Sequence, residues 1–162
     1  CIQKSALFIR ADEILVNRII TDERSRLSAY SKGETALIQR SLGILLTGQF
    51  RSERPGPGDT VLCQQIHRPG DTLGAELLFL PEQHNQRWIA EKHSELLLIP
   101  EQLILWAIRR DSHITVNYIR FLSEQIDQLQ GTLSGVTAGT SVQRLGIYLL
   151  DGKPVPSMTE LI

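Results

Sequence analysis

The chain has 162 residues, 41% of them hydrophobic, with 17 basic and 18 acidic side chains and a formal net charge of -1. That length accommodates one well-buried domain and an appendage but is short for two full domains, and the balanced charge does not advertise the basic surface of a nucleic-acid reader. Two cysteines, Cys1 and Cys63, stand far apart with no CxxC partner, which excludes a disulfide framework and a zinc or iron–sulfur ligand set and fits a reducing cytoplasm.

From about Lys4 to Arg26, Leu7, Ile14, Leu15, Ile19 and Ile20 recur among charged residues at mostly helical spacing, which predicts one or two short helices. From Tyr30 to Pro100 the texture becomes short apolar runs divided by turn chemistry: Ser31-Lys32-Gly33, Gly48, Pro55-Gly56-Pro57-Gly58-Asp59, Arg68-Pro69-Gly70-Asp71 and Pro81. Such spacing indicates a small β-sandwich, barrel or jelly roll. Its clearest strands are Leu42–Leu46, Val61–Ile66, Trp88–Ala90 and Glu95–Ile99. Pro100 then opens a helix, Glu101 to Arg109, because the first helical turn does not need the missing proline N–H.

After Asp111, Ile119, Leu122, Ile126, Leu129, Leu133 and Val136 follow one another in alternating steps of three and four. This heptad seam, with Arg120, Glu124, Asp127 and Gln128 off it, predicts two helices side by side; the alternative is a helix buried against its own domain. Gly131, Gly135 and Gly139 each cost about 1 kcal/mol relative to alanine in a helix interior, so either a partner backbone approaches closely there or the helix frays into a linker. Thr140 or Ser141 can cap a further helix, Val142 to Leu150. Beyond the loop Asp151–Pro156, Ser157-Met158-Thr159-Glu160 has the form of a capping box that opens another. The chain starts without Met and stops inside that expected helix, so a piece of a longer protein is expected. No stretch approaches the roughly twenty apolar residues of a membrane span, and Cys1–Arg10 lacks the apolar core of a signal peptide.

This order of elements resembles the CRP/FNR (catabolite activator / fumarate-nitrate regulator) superfamily. Ser31–Glu34, Gly43–Gly48 and Arg68–Gly74 resemble its successive β-roll turns, and Ser94–Pro100 its last strand. Asn117–Ser123 is similar to the start of its dimerisation helix, Arg144–Leu150 to the first helix of its winged helix-turn-helix, and Thr159–Leu161 to the helix before the recognition helix. The segment between Glu34 and Leu42 is shorter than in the typical member. The resemblance implies an α+β fold: a β-roll of the double-stranded β-helix or jelly-roll type with helical flanks. A long dimerisation helix and the start of a winged helix-turn-helix follow. The expected boundaries are 1–29 for the N-terminal helical segment, 30–110 for the effector domain, 111–138 for the dimerisation helix and 139–162 for the truncated DNA-binding domain.

Cyclic-AMP-binding members of that family hold the ribose with a Gly-Glu pair and the phosphate with an Arg-Ser or Arg-Thr pair about ten residues later. Aligned on Gly74 and Phe79, the glutamate position holds Ala75, and the arginine position holds His84 or Asn85. A buried phosphate needs a fixed cation, preferably a guanidinium, and Arg87 stands two or three places away. An effector other than cyclic AMP is therefore expected, in a pocket made of Gly74, Ala75, Glu76, Leu77, His84, Asn85, Arg87 and Trp88. The competing readings are a solvated hairpin tip and, for Trp88, a core strand position.

Two cysteines cannot supply the four thiolates of an iron–sulfur sensor. A haem sensor would use an axial histidine, for which His67, His84, His93 and His113 are available without a spacing partner. The metal site of a cupin needs a His-x-His strand, and none occurs. No Gly-x-Ser-x-Gly elbow marks a serine hydrolase. The expectation is a regulator without catalytic residues, metal or cofactor: a cytoplasmic homodimer that reads DNA through a domain largely absent here and responds to a small-molecule effector in the β-roll. Ile119, Leu122, Ile126, Leu129, Leu133 and Val136 form its dimer interface. The alternative is a stand-alone ligand-sensing module of the cyclic-nucleotide-binding type without DNA-binding activity.

Overall fold

A computed structural model of the chain describes residues 5–56, 60–80 and 85–136. The helices expected from Val142 and from the Ser157 capping box lie outside them, as does His84. By its internal contacts the chain divides into two compact units, Cys1–Phe121 and Leu122–Ile162.

Among its described residues the N-terminal segment forms a 3-10 turn, Ala6–Phe8, and helix α1, Glu13–Thr21. Asp12 starts α1 by accepting the backbone N–H groups of Ile14 at 2.8 Å and Leu15 at 3.0 Å, two of the four donors that a helix start leaves open. Val16 and Ile19, one turn apart, are buried. The sheet region begins earlier than its turn chemistry indicates. Arg26–Ala29, read from sequence as part of the helical segment, belong to strand β1, Arg26–Tyr30, paired antiparallel with the last strand.

The remaining strands are β2 (Thr35–Ala36), β3 (Ser41–Thr47), β4 (Phe50–Pro55), β5 (Val61–His67), β6 (Thr72–Leu73), β7 (Arg87–Ala90) and β8 (Ser94–Pro100). They make two four-stranded antiparallel sheets, ordered β1-β8-β3-β6 and β2-β7-β4-β5. Tyr30, Ala36, Ile38, Leu45, Phe50, Leu73, Leu77, Trp88, Ala90, Leu96 and Leu98 pack together as the core. Tyr30 meets the Phe50 ring edge-on at 5.5 Å, a favoured aromatic geometry.

β3 and β8 are buried along consecutive residues rather than alternate ones: Leu42 through Leu45, and Leu96 through Ile99. That pattern requires cover on both faces of the sheet. The second cover is helical: α2, Glu101–Ile108, packs on β8 and β3, and α1 packs on α2. Ile19, Ile104 and Ile114 are fully buried.

The turns follow their side chains. At 31–34 the Ser31 N–H donates to the Glu34 carboxylate at 2.6 Å around Gly33, and at 68–71 the Arg68 N–H donates to Asp71 Oδ2 at 2.8 Å around Gly70. Gly48 turns β3 into β4 with φ +92°, and a Cβ there would collide with Ser94 Oγ and the His93 carbonyl. Only glycine fits.

The last described element is α3, Ser112–Val136. Asp111 opens it by accepting the N–H groups of His113 at 2.7 Å and Ile114 at 3.3 Å on Oδ1, while its Oδ2 accepts the Asp12 N–H at 2.7 Å. Asn117 Nδ2 donates to the carbonyls of Leu7 and Ile9. The N-terminal segment is thus tied by hydrogen bonds to the first turns of α3. That helix runs through Gly131 and Gly135.

Candidate functional site

Gly74 ends β6 in the left-handed region, φ +76°, and leads into a 3-10 turn, Ala75–Leu77. A Cβ at Gly74 would stand 2.9 Å from Ile38 Cγ2 and 3.7 Å from Trp88 Cζ2, so this turn lies directly on the core. Ala75 is buried, Glu76 half-buried, and Leu77 packs against the core cluster.

Across from the turn, β7 holds Trp88 at 3% exposure among Ala36, Phe50, Leu73 and Leu96. Trp88 is a core strand residue, not a ring at the surface. Its indole N–H is buried with no hydrogen-bond partner, an arrangement that costs about 1–3 kcal/mol. Asn85 and Arg87 are exposed.

Gln86, which stands in the polar loop beside Arg87 and Trp88, joins this group, and so does Arg54, which sequence reasoning passed over. Gln86 Nε2 donates to Glu76 Oε1 at 3.3 Å, and Arg54 Nη2, from β4, reaches Gln86 Oε1 at 3.5 Å. The structure therefore assembles Gly74–Leu77, Gln86, Trp88 and Arg54, with Arg87 on the outer side of the strand. Arg54 carried no signal in the sequence. It comes close because β4 pairs with β7 in a register that sets Glu53 opposite Arg87.

The turn is also attached to the long helix. Tyr118 of α3, itself buried, donates its hydroxyl to the Ala75 carbonyl at 2.5 Å, and its ring meets Phe79 edge-on at 5.7 Å. Burial, helped by the charge of Glu76, raises the Tyr118 pKa to about 12. The phenol stays a donor at any physiological pH.

Of the seam residues, Ile119 is 58% and Ile126 56% exposed, and Leu122 is half-buried. Val116, 51% exposed, adds to the same apolar surface. The side chains of Leu129, Leu133 and Val136 lie outside the described residues, although their backbone is helical. By contrast, Ile114, Asn117 and Tyr118 are buried. A helix advances about 100° per residue, which puts Ile119 and Ile126 on one line and Ile114 well away from it. The buried face of α3 and its heptad seam are different faces.

No nucleophilic relay is present among the described residues. Ser52 Oγ and His67 Nε2 are 2.9 Å apart, but both side chains are buried, and the nearby Asp71 carboxylate is engaged with the Arg68 N–H. Burial pushes the His67 pKa below its ordinary value, with Asp71 pulling the other way. His67 thereby spends its Nε2 on Ser52, and His93 and His113 are exposed. No group of three or more metal-ligating side chains occurs among the described residues, and none of their helices is long and apolar enough to cross a membrane.

No protein-family model and no curated protein matches the chain. Solved structures do. The catabolite activator protein of Thermus thermophilus superposes with a TM-score of 0.70 at 19% identity, over 80% of this chain and 62% of that one. The sensor domain of the transcriptional regulator DNR from Pseudomonas aeruginosa gives 0.67 at 14% identity, over 86% and 91%. A transcriptional regulator from Thermotoga maritima gives 0.65 at 19%, over 75% and 97%. The fold is the cyclic-nucleotide-binding β-roll. The two sheets described above are its two halves, the Gly74–Leu77 turn lies between β6 and β7 of the roll, and α2 and α3 are its flanking helices. The chain spans 62% of the length of the Thermus thermophilus protein it matches.

Proposed function

We propose that this chain is the effector-sensing and dimerising part of a transcription regulator of the CRP/FNR kind, with DNA read by a helix-turn-helix domain that residues 139–162 begin. The observation that carries the reading is the hydrogen bond from Tyr118 to Ala75. It joins the turn where a β-roll effector would sit to the helix that bears the exposed Ile119 and Ile126. An effector that moves Ala75–Leu77 changes the contacts of Tyr118, and with them the preferred position of α3.

The effector enters between the Gly74–Leu77 turn and β7. Ala75, in place of a glutamate, and Asn85 or His84, in place of an arginine, argue against cyclic AMP. Arg54, Arg87, Gln86 and Glu76 offer mixed polar chemistry at the mouth, and the unsatisfied Trp88 N–H offers a buried donor to a ligand acceptor. The exposed Ile119 and Ile126, with Leu122, Leu129, Leu133 and Val136, form the two-helix interface of a homodimer, and a palindromic DNA site follows from its two-fold axis. The protein acts by binding rather than catalysis, a reading supported by likeness to regulatory sensor domains.

The test is a mobility shift with the complete protein on its own upstream DNA. A discrete, salt-sensitive complex that unrelated DNA does not compete away supports the regulator and provides a readout for effector screening. If only non-specific binding appears, the chain acts as a ligand-sensing module without DNA recognition.

A further inference from the structure

Outside the β-roll interior, a cleft of about 220 Å³ opens between the end of α1 and the outer face of α2, lined by Arg18, Asp22, Arg24, Gln102, Leu103 and Trp106. At about 30 Å³ for each water molecule in the liquid, it has room for roughly seven waters, or for one small organic ion. Its charges are unevenly satisfied. Asp22 is fully engaged by Arg24, whose Nε and Nη2 reach the two carboxylate oxygens at 2.8 and 2.9 Å and whose backbone N–H reaches Oδ1 at 3.0 Å.

Arg18 has no hydrogen bond or ion pair among the described residues. Its guanidinium carbon lies 5.2 Å from the centre of the Trp106 ring, and that of Arg110 lies 4.9 Å from the same ring. Stacking of this kind uses the face of a guanidinium and leaves its N–H edges free. Trp106 therefore holds Arg18 in place and leaves its N–H edges open; the Asp22 carboxylate is within electrostatic reach of Arg18 but forms its hydrogen bonds with Arg24, and the buried Leu103 also lines the cleft. The Gln102 amide adds further hydrogen-bonding capacity at the rim.

We propose that this cleft is a second ligand site, separate from the effector pocket, that binds a small oxyanion. A carboxylate or phosphate takes the free N–H edge of Arg18, and an apolar body, where the ligand has one, lies against Leu103 and Trp106. A bidentate guanidinium contact is the geometry that such anions prefer. The ligand would bridge α1 and α2, of which α2 packs on β8 and β3 and α1 packs on α2.

The experiment is a titration with sodium benzoate and, separately, with inorganic phosphate at constant ionic strength. It follows the indole N–H signal of Trp106 in a 1H–15N spectrum, assigned with Trp106→Phe. Saturable movement of that signal, with affinity lowered at least fivefold in Arg18→Gln, is expected, while the Trp88 indole signal stays in place. Saturation by benzoate alone identifies a carboxylate with an apolar body; equal saturation by phosphate identifies recognition of the oxyanion itself. A linear drift that chloride reproduces, or a titration curve unchanged by Arg18→Gln, overturns the proposal. So does movement of the Trp88 signal alone, because the ligand would then be in the β-roll.

Discussion

Two side chains hold more of this molecule than their surroundings in sequence suggest. Asp111 is buried, which works to raise its pKa, yet the N–H groups of Asp12, His113 and Ile114 outweigh burial and hold it below the ordinary carboxylate value. One carboxylate thus completes the start of α3 and grips the residue that caps α1. Loss of a helix cap costs about 0.5–2 kcal/mol, and here the part-buried Asp12 N–H loses its acceptor as well. Asp111→Ala should therefore lower the unfolding free energy by about 2–3 kcal/mol in urea titrations. Because the folded pKa is depressed, this contribution is present above about pH 4 and fades as pH falls below it. His67 acts in the same direction at higher pH. Burial lowers its folded pKa, so the native state favours the neutral ring, and stability present above about pH 6.5 declines as pH falls. Urea midpoints at pH 8 and pH 5.5 should differ in the wild type and differ less in His67→Gln; equal midpoints in the wild type would show that His67 does not carry this dependence.

At the scale of elements, legibility followed how local the determinants were. The strands β3, β5, β7 and β8, the helix α2 and the start of α3 could be placed within a few residues because their apolar period is carried by the segment itself, whereas α1 was legible only as one or two short helices between about Lys4 and Arg26. The turns at 31–34 and 68–71 announced themselves because Glu34 and Asp71 cap their own loops. β1 did not, since Arg26–Tyr30 has exposed Leu27 and gains its strand character from pairing with β8. β2 and β6 are two residues each and exist only through their neighbours. The candidate site was half legible for the same reason. Gly74–Leu77 follows from its turn glycine, whereas Arg54 arrives through register across β4 and β7, and the Tyr118–Ala75 bond spans 43 residues. That bond makes an element-level prediction. Tyr118→Phe should cost about 1 kcal/mol or somewhat more, because the Ala75 carbonyl loses its partner, and should speed hydrogen exchange in both 75–80 and 115–122. Faster exchange in only one of these segments would show that the turn and the helix are not coupled through it. The tyrosine absorbance change on ionisation of this residue should come only near pH 12, against about 10 for a free side chain.

For the whole molecule, the question is what covers the seam of α3. Ile119 and Ile126 are more than half exposed, while in the first turns of the helix Ile114, Asn117 and Tyr118 are buried, Asn117 bonded to the N-terminal segment and Tyr118 set against Phe79. An apolar line such as Ile119 and Ile126, exposed along a helix with heptad spacing, is what a helix that pairs with another chain would present, and the proposed homodimer rests on it. The most direct measurement is the molar mass in solution by light scattering, for the wild type and for Ile126→Asp. The wild type should have twice the 18.2 kDa chain mass, and burying a charge in the seam should shift it to the single-chain mass with the circular dichroism of the β-roll retained. A wild type at the single-chain mass, or an Ile126→Asp protein that remains at twice that mass, would contradict the proposed homodimer.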